Sequence, residues 1–176
     1  VRIIGGEWRS RLIDIADADG LRPTPDRVRE TLFNWLGQDL TGRRVLDLFA
    51  GSGVLGFEAL SRGAAHAVLV ERSRDAMSVL QANAVALGAA RAELLQCDAI
   101  EFLARPRGSP FDVVFLDPPY ASGLAAVALE RLAPHLASGA RVYVETDVPL
   151  ALPGWTPLRS GRAGAVCFQL LTKEQP

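Results

Sequence analysis

Two short stretches of the chain hold the residue types best suited to chemistry. Gly51-Ser52-Gly53-Val54-Leu55-Gly56 spaces three glycines as G-x-G-x-x-G, directly after an apolar run and ahead of a helical one, with Glu71 about 20 residues beyond Gly51. In that setting the glycines allow a tight turn and close backbone approach to a ligand. An acid ending the following strand can accept both hydroxyls of a ribose. The pattern predicts a nucleoside-bearing cofactor. The second stretch, Asp117-Pro118-Pro119-Tyr120, closes another apolar run. Two prolines cannot continue a sheet ladder, so the chain leaves the strand rigidly, holding a carboxylate, nearby carbonyls and an aromatic ring together.

Charge narrows the cofactor. Asp47 ends the first strand and Asp98 the third, so with Glu71 and Asp117 four carboxylates converge on the carboxyl ends of the strands, where open α/β sheets bind ligands. A dinucleotide pyrophosphate is repelled there, whereas S-adenosylmethionine carries no phosphate and brings a sulfonium and an ammonium. Asp98 also reads as the N-cap of the next helix. Asp117-Pro118-Pro119-Tyr120 suits a planar amino group. An exocyclic base nitrogen is a poor nucleophile because its lone pair is delocalised into the ring, and acceptors on its N–H groups localise that pair. Tyr120 would stack on the base.

These residues need strands and helices to position them. Apolar runs predict strands at Arg43 to Phe49, Ala67 to Glu71, Ala92 to Gln96, Phe111 to Leu116 and Arg141 to Glu145, alternating with helices, as in a mostly parallel sheet buried on both faces. Ser73 is a plausible N-cap, and Gly63 and Gly88 are helix stops. Trp155 to Arg159 and Val166 to Leu171 read as a closing antiparallel hairpin. The single domain 1–176 divides into a catalytic core, 41–176, and an N-terminal hairpin-and-helix appendage, 1–40. In the appendage Arg2 to Ile4 and Trp8 to Ile13 flank Gly5-Gly6, and period two puts Arg9, Arg11 and Ile13 on one face, opposite Trp8, Ser10 and Leu12. Thr24 caps a helix with Pro25 at its first position, and Val28, Leu32, Trp35 and Leu36 form its apolar stripe.

Composition limits the alternatives. With 176 residues, 49% hydrophobic and 22% charged, the chain can bury a core without staples. Cys97 and Cys167 form no C-x-x-C pair, which argues against a zinc site and for a reducing, cytoplasmic setting. No apolar run approaches the ~18 residues of a spanning helix. A net charge of −1 predicts no polyanionic partner, although every basic residue except Lys173 is arginine. His66 and His135 are isolated, and no metal is required. Trp8, Trp35 and Trp155 read as packing residues, with Trp8 beside two arginines also able to stack on RNA.

Asp47-Leu48-Phe49-Ala50-Gly51-Ser52-Gly53 with Asp117-Pro118-Pro119-Tyr120 resembles the Rossmann-like class I amino methyltransferases. Arg2-Ile3-Ile4-Gly5-Gly6-Glu7-Trp8-Arg9 and the run from Gly20 to Leu36 resemble the bacterial RsmD family, and the likeness extends over essentially the whole chain. That resemblance implies methylation of N2 of a guanine in small-subunit (16S) ribosomal RNA, on an assembled or assembling subunit; a monomer is expected. It implies that Asp47 and Gly51 to Gly53, with Phe49 and Ala50, hold the methionine end of the cofactor. Glu71 would hold the ribose and Asp98 with Ala99 the adenine, with Arg72 also among the cofactor-binding residues. Asp117 and Tyr120, with Pro118 between them, would address the guanine. Because the N-terminal segment lies outside the βαβ core, Arg2, Trp8, Arg9, Arg11, Arg22, Thr24 and Arg27 are expected to contact the RNA. Pro25 departs from the family, where polar residues are familiar. The residues by themselves leave three other readings open: a DNA adenine-N6 methyltransferase, an NAD-dependent oxidoreductase, and a non-catalytic RNA-binding ribosome-assembly factor.

Overall fold

A computed structural model describes residues 1–17, 23–105, 108–119 and 121–175. Arg22 and Tyr120 therefore lie outside the described residues. The elements run α1 (Asp26–Trp35), β1 (Arg44–Asp47), α2 (Val54–Ser61), β2 (His66–Glu71), α3 (Arg74–Leu87), β3 (Ala92–Gln96), α4 (Ala99–Leu103), β4 (Phe111–Leu116), α5 (Leu124–Arg131), β5 (Leu136–Thr146), β6 (Trp155–Ala163) and β7 (Val166–Lys173). One sheet collects the strands in the order β3-β2-β1-β4-β5-β7-β6. The first five are mutually parallel, while β7 is antiparallel to both β5 and β6. Strand order reverses between β1 and β4, and the crevice at such a reversal is where α/β sheets bind ligands.

The expected strands are present, and the C-terminal hairpin is longer than its apolar runs suggested. The hairpin also inserts β7 against β5, leaving β6 at the edge. Burial is less uniform than expected of a covered sheet: edge strand β3 leaves Glu93 and Gln96 exposed, because an edge has a neighbour on one side only. Ser73 caps α3 by accepting from Ala76 N–H at 3.3 Å, and Gly88 ends it in the left-handed region. One face of the sheet packs on the N-terminal segment with α1, α2 and α3, through Ile3, Leu32, Phe33, Phe57 and Leu80. The other packs on α4 and α5, through Phe102, Leu103 and Leu129. No helix among the described residues is long and apolar enough to cross a membrane.

Three N-terminal expectations are corrected. The hairpin reduces to a single bridge between Arg2 and Leu12, because residues 7–10 form turns and Ser10 adopts φ +69°. The turn breaks the period-two faces, so Trp8 and Ile13 are buried while Arg9, Arg11 and Leu12 are exposed. Thr24 does not cap α1. The N-cap is Pro25, which has no side chain to accept a hydrogen bond, and Thr24 turns into the site described next. The stripe of Val28, Leu32, Trp35 and Leu36 does face the core, with Trp35 stacked on Phe168 at 5.3 Å.

Candidate active site

The glycine turn lies between β1 and α2. Ala50 N–H donates to Val70 O at 2.9 Å and ties the turn to β2. Gly53 has φ +91°, and a Cβ there would lie 2.4 Å from Phe57 Cε2 and 2.6 Å from Leu80 Cδ1, so only glycine fits. At Gly56 the constraint is close approach: a Cβ would meet Leu69 Cδ2 at 2.6 Å. Without it the Gly56 N–H reaches Asp47 Oδ2 at 3.0 Å. Burial pushes the Asp47 carboxyl up to about 7, the Gly56 bond opposes this, and the Glu71 charge adds to it. Glu71 is pinned beneath the turn, accepting from Gly51 N–H at 2.7 Å and Ser73 N–H at 2.8 Å. Each of its oxygens keeps a second lone pair.

Asp98 has the N-cap role, accepting from Ile100 and Glu101 N–H at 2.9 and 3.1 Å through Oδ1. Its Oδ2 lies 4.0 Å from exposed Arg72. Ala99, buried, opens α4. Asp47, Phe49, Ala50, Gly51, Ser52 and Asp117 line one cleft. Asp98, Ala99, Glu71 and Arg72 lie outside that lining, around the carboxyl ends of β2 and β3.

Ile15, Ala16, Pro23 and Thr24 also line the cleft, so the N-terminal segment is one of its walls. Ser52 Oγ accepts from Ala16 N–H at 2.9 Å. Buried Asn83 of α3 accepts from Asp14 N–H at 3.0 Å and donates to the carbonyls of Asp14 and Ser52, each at 2.9 Å. A polar residue on the buried stripe Ala76, Met77, Leu80, Asn83, Leu87 is the sequence signal for that joint. A second joint is the fully buried pair Arg29 and Glu58. Glu58 accepts from Ile4 N–H at 3.0 Å, Gly5 N–H at 2.9 Å, Arg29 Nη1 at 3.3 Å and Arg62 Nε at 2.9 Å. Arg29 also donates to Thr24 O, Arg2 O and the Asp26 carboxylate. The sequence signal was an acid inside the otherwise apolar helix α2.

Asp117 follows the end of β4. Leu116 pairs with Val144, so Asp117 stands beside Glu145 on β5. Buried Glu145 accepts from Thr24 Oγ1 at 2.8 Å and Tyr143 O–H at 2.7 Å, and Thr24 Oγ1 is 3.5 Å from Asp117 Oδ2. Burial, followed by the neighbouring Glu145 carboxyl, holds Asp117 well above the ordinary carboxylate range. Pro118 is buried and Pro119 exposed.

Of the residues read as RNA-contacting, Arg2, Arg9, Arg11 and Arg27 are exposed, with Arg11 Nη2 donating to Ala86 O at 2.6 Å. Trp8 is 7% exposed within the core, which leaves no ring face for a base to stack on. Thr24 is likewise buried, its hydroxyl given to Glu145. His66 and His135 serve packing and polar contacts: His66 reaches Glu93 at 3.2 Å, and His135 meets Leu103 O at 3.0 Å and stacks on Phe102.

The sequence model of a family described as "Conserved hypothetical protein 95" matches residues 1–172. The chain is 44% identical over 180 residues to the ribosomal RNA small subunit methyltransferase D of Escherichia coli, spanning 99% of this chain and 90% of that protein. Its counterpart in Haemophilus influenzae is 44% identical over 178 residues, covering 97% and 92%. Among solved structures, a putative methyltransferase from Escherichia coli superposes with a TM-score of 0.88 at 44% identity, covering 100% of this chain and 99% of that one.

Proposed function

The chain belongs to the RsmD family of class I methyltransferases, and from that membership we propose that it methylates N2 of a guanine in small-subunit (16S) ribosomal RNA, using S-adenosylmethionine. The observation that carries the reading is the acid-lined cleft at the β1/β4 reversal, with the glycine turn on one side and Asp117-Pro118 on the other. Among the described residues no arginine or lysine lines it, which suits a cationic, phosphate-free cofactor and disfavours NAD. When bound, that cofactor supplies an electrophilic methyl group.

The chain's own residues do the rest. Asp47 and the turn at Gly51 to Gly53 hold the methionine end, Glu71 accepts from the ribose, and Asp98 with Ala99 borders the adenine. Asp117 accepts an N–H of the target amine and so turns the nitrogen lone pair toward the methyl carbon, while the Pro118 ring keeps that carboxyl from drifting. Holding amine and methyl in line accounts for up to ~7–11 kcal/mol of barrier lowering. Tyr120 stacks on the base, and Arg2, Arg9, Arg11, Arg22 and Arg27 grip the RNA. The enzyme works as a cytoplasmic monomer on assembled or assembling subunits. Incubation with methyl-labelled cofactor and undermethylated small subunits, followed by digestion to nucleosides, tests this. Label in N2-methylguanosine is expected. Label in N6-methyladenine, or only in DNA, would overturn it in favour of an adenine methyltransferase.

A further inference from the structure

Asp117 and Glu145 are neighbours by the register of β4 and β5, so their carboxyl groups meet at the same end of the sheet. Parallel strands lie ≈ 4.8 Å apart, and the closeness of the half-buried Asp117 carboxyl to the buried Glu145 carboxyl disfavours ionising both. Among the described residues no arginine, lysine or histidine is hydrogen-bonded to either carboxyl. The groups that face them are Thr24 from the N-terminal wall, Tyr143 from β5 and the Asp47 carboxyl from β1. The Arg29 guanidinium, though buried nearby in sequence, is committed to Glu58 and Asp26. Both hydroxyls serve Glu145: Tyr143 at 2.7 Å and Thr24 at 2.8 Å converge on Oε1. Among the described residues Asp117 has only the Thr24 hydroxyl, at 3.5 Å, and burial and the adjacent Glu145 carboxyl hold it well above the ordinary carboxylate range, so Asp117 is the group that keeps the proton.

We propose that Glu145 is a positioning residue of the methyl-transfer site, which shares one proton with Asp117 and thereby fixes which Asp117 oxygen is free to accept the target amine. The inference rests on the function proposed above. With its O–H turned to Glu145, Asp117 offers the amine a single carbonyl oxygen in one direction. As the N–C bond forms and the C–S bond of the methyl donor breaks, the amine's proton passes to Asp117 and the proton held by Asp117 passes to Glu145. The donor's positive charge and the pair's negative charge are both consumed.

The test begins on the protein alone, by carbon-13 NMR titration of aspartate carboxyls, with the Asp117 signal assigned from its loss in Asp117→Asn. Glu145→Gln keeps an acceptor for Tyr143 and Thr24 but removes the neighbouring charge, and should lower the Asp117 midpoint by one pH unit or more, a tenfold or larger loss of proton affinity. Tyr143→Phe keeps both carboxyls and should move the proton toward Glu145, shifting the Asp117 signal toward its ionised position. In single-turnover methyl transfer, the wild type should lose rate at high pH, where the pair gives up its last proton and the two groups repel. Glu145→Gln, whose amide donates at every pH, should lack that alkaline limb. An Asp117 midpoint unmoved in folded Glu145→Gln, or a signal unmoved in Tyr143→Phe, would overturn the proposal. The expected titration shifts without methyl transfer by the wild type would instead overturn the function on which it rests.

Discussion

Replacing Glu58 by alanine should destabilise the protein more than any change at its surface. The carboxylate is fully buried and serves four partners: the Ile4 and Gly5 amides, the Arg29 guanidinium and that of Arg62. Arg29 is equally buried, so its charge would stay in the interior without its central partner, its remaining acceptors being two carbonyls and the largely exposed Asp26. Removing one member of a buried pair costs about 3–5 kcal/mol, and no solvent discount applies where both side chains are fully buried. For a chain of this size 1 kcal/mol moves the melting temperature by ≈ 2–4 °C, giving a loss of roughly 6–20 °C. Thermal melting followed by circular dichroism measures it. Because Glu58 anchors the segment that continues into the cleft wall at Ile15 and Ala16, calorimetric cofactor affinity should fall as well. The double variant Arg29→Ala/Glu58→Ala should cost less than the sum of the singles, since the orphaned charge is gone. A shift below about 2 °C for Glu58→Ala, or strict additivity in the double, would refute this account of how the wall is held.

Asp47, raised to about 7 mainly by burial, contributes stability that is fully present below the unfolded carboxylate range and is lost as pH rises through about 7. A cationic cofactor needs the ionised form, so its affinity should increase across that same range by calorimetry, and Asp47→Asn should abolish the dependence. Glu71→Ala should weaken cofactor binding by about 1.5–3 kcal/mol, the scale of hydrogen bonds to charged groups; unchanged affinity would dismiss the ribose assignment. Asp117→Ala should lose about 10²–10⁴-fold in turnover and keep most cofactor affinity, because its partner is the amine. Single replacements of exposed Arg9, Arg11 or Arg27 by alanine should each flatten the slope of log affinity for the RNA against log salt by ~0.7–0.9 if that side chain meets a phosphate. Slopes that do not move would place the RNA elsewhere.

The sequence by itself determined what depends on near neighbours along the chain. A strand buried on both faces must be apolar throughout, so β1, β2 and β4 were legible as runs, and the glycine turn with Asp47 and Glu71 followed from one βαβ unit. Pro118 and Pro119 fixed the end of β4 because proline lacks the N–H a ladder needs. Tertiary structure decided what depends on residues far apart. Within the C-terminal hairpin, Pro157 and the polar run Arg159, Ser160 and Arg162 suit β6 to an edge while the middle of β7 is mostly apolar, but that β7 lies antiparallel against β5 is decided only in the assembled sheet. The N-terminal segment read as an appendage because it precedes the βαβ pattern, yet a turn at Ser10 reverses which side chains face inward, and Asn83 and Glu58 bind the segment down as a wall of the cleft. Thr24 looked like a helix cap because local rules see only the helix that follows. Its hydroxyl instead answers a carboxyl on β5, and Glu145 acquires its meaning only once parallel pairing sets it beside Asp117. That neighbour helps hold the Asp117 carboxyl above its ordinary range, and no spacing within either strand could have announced it.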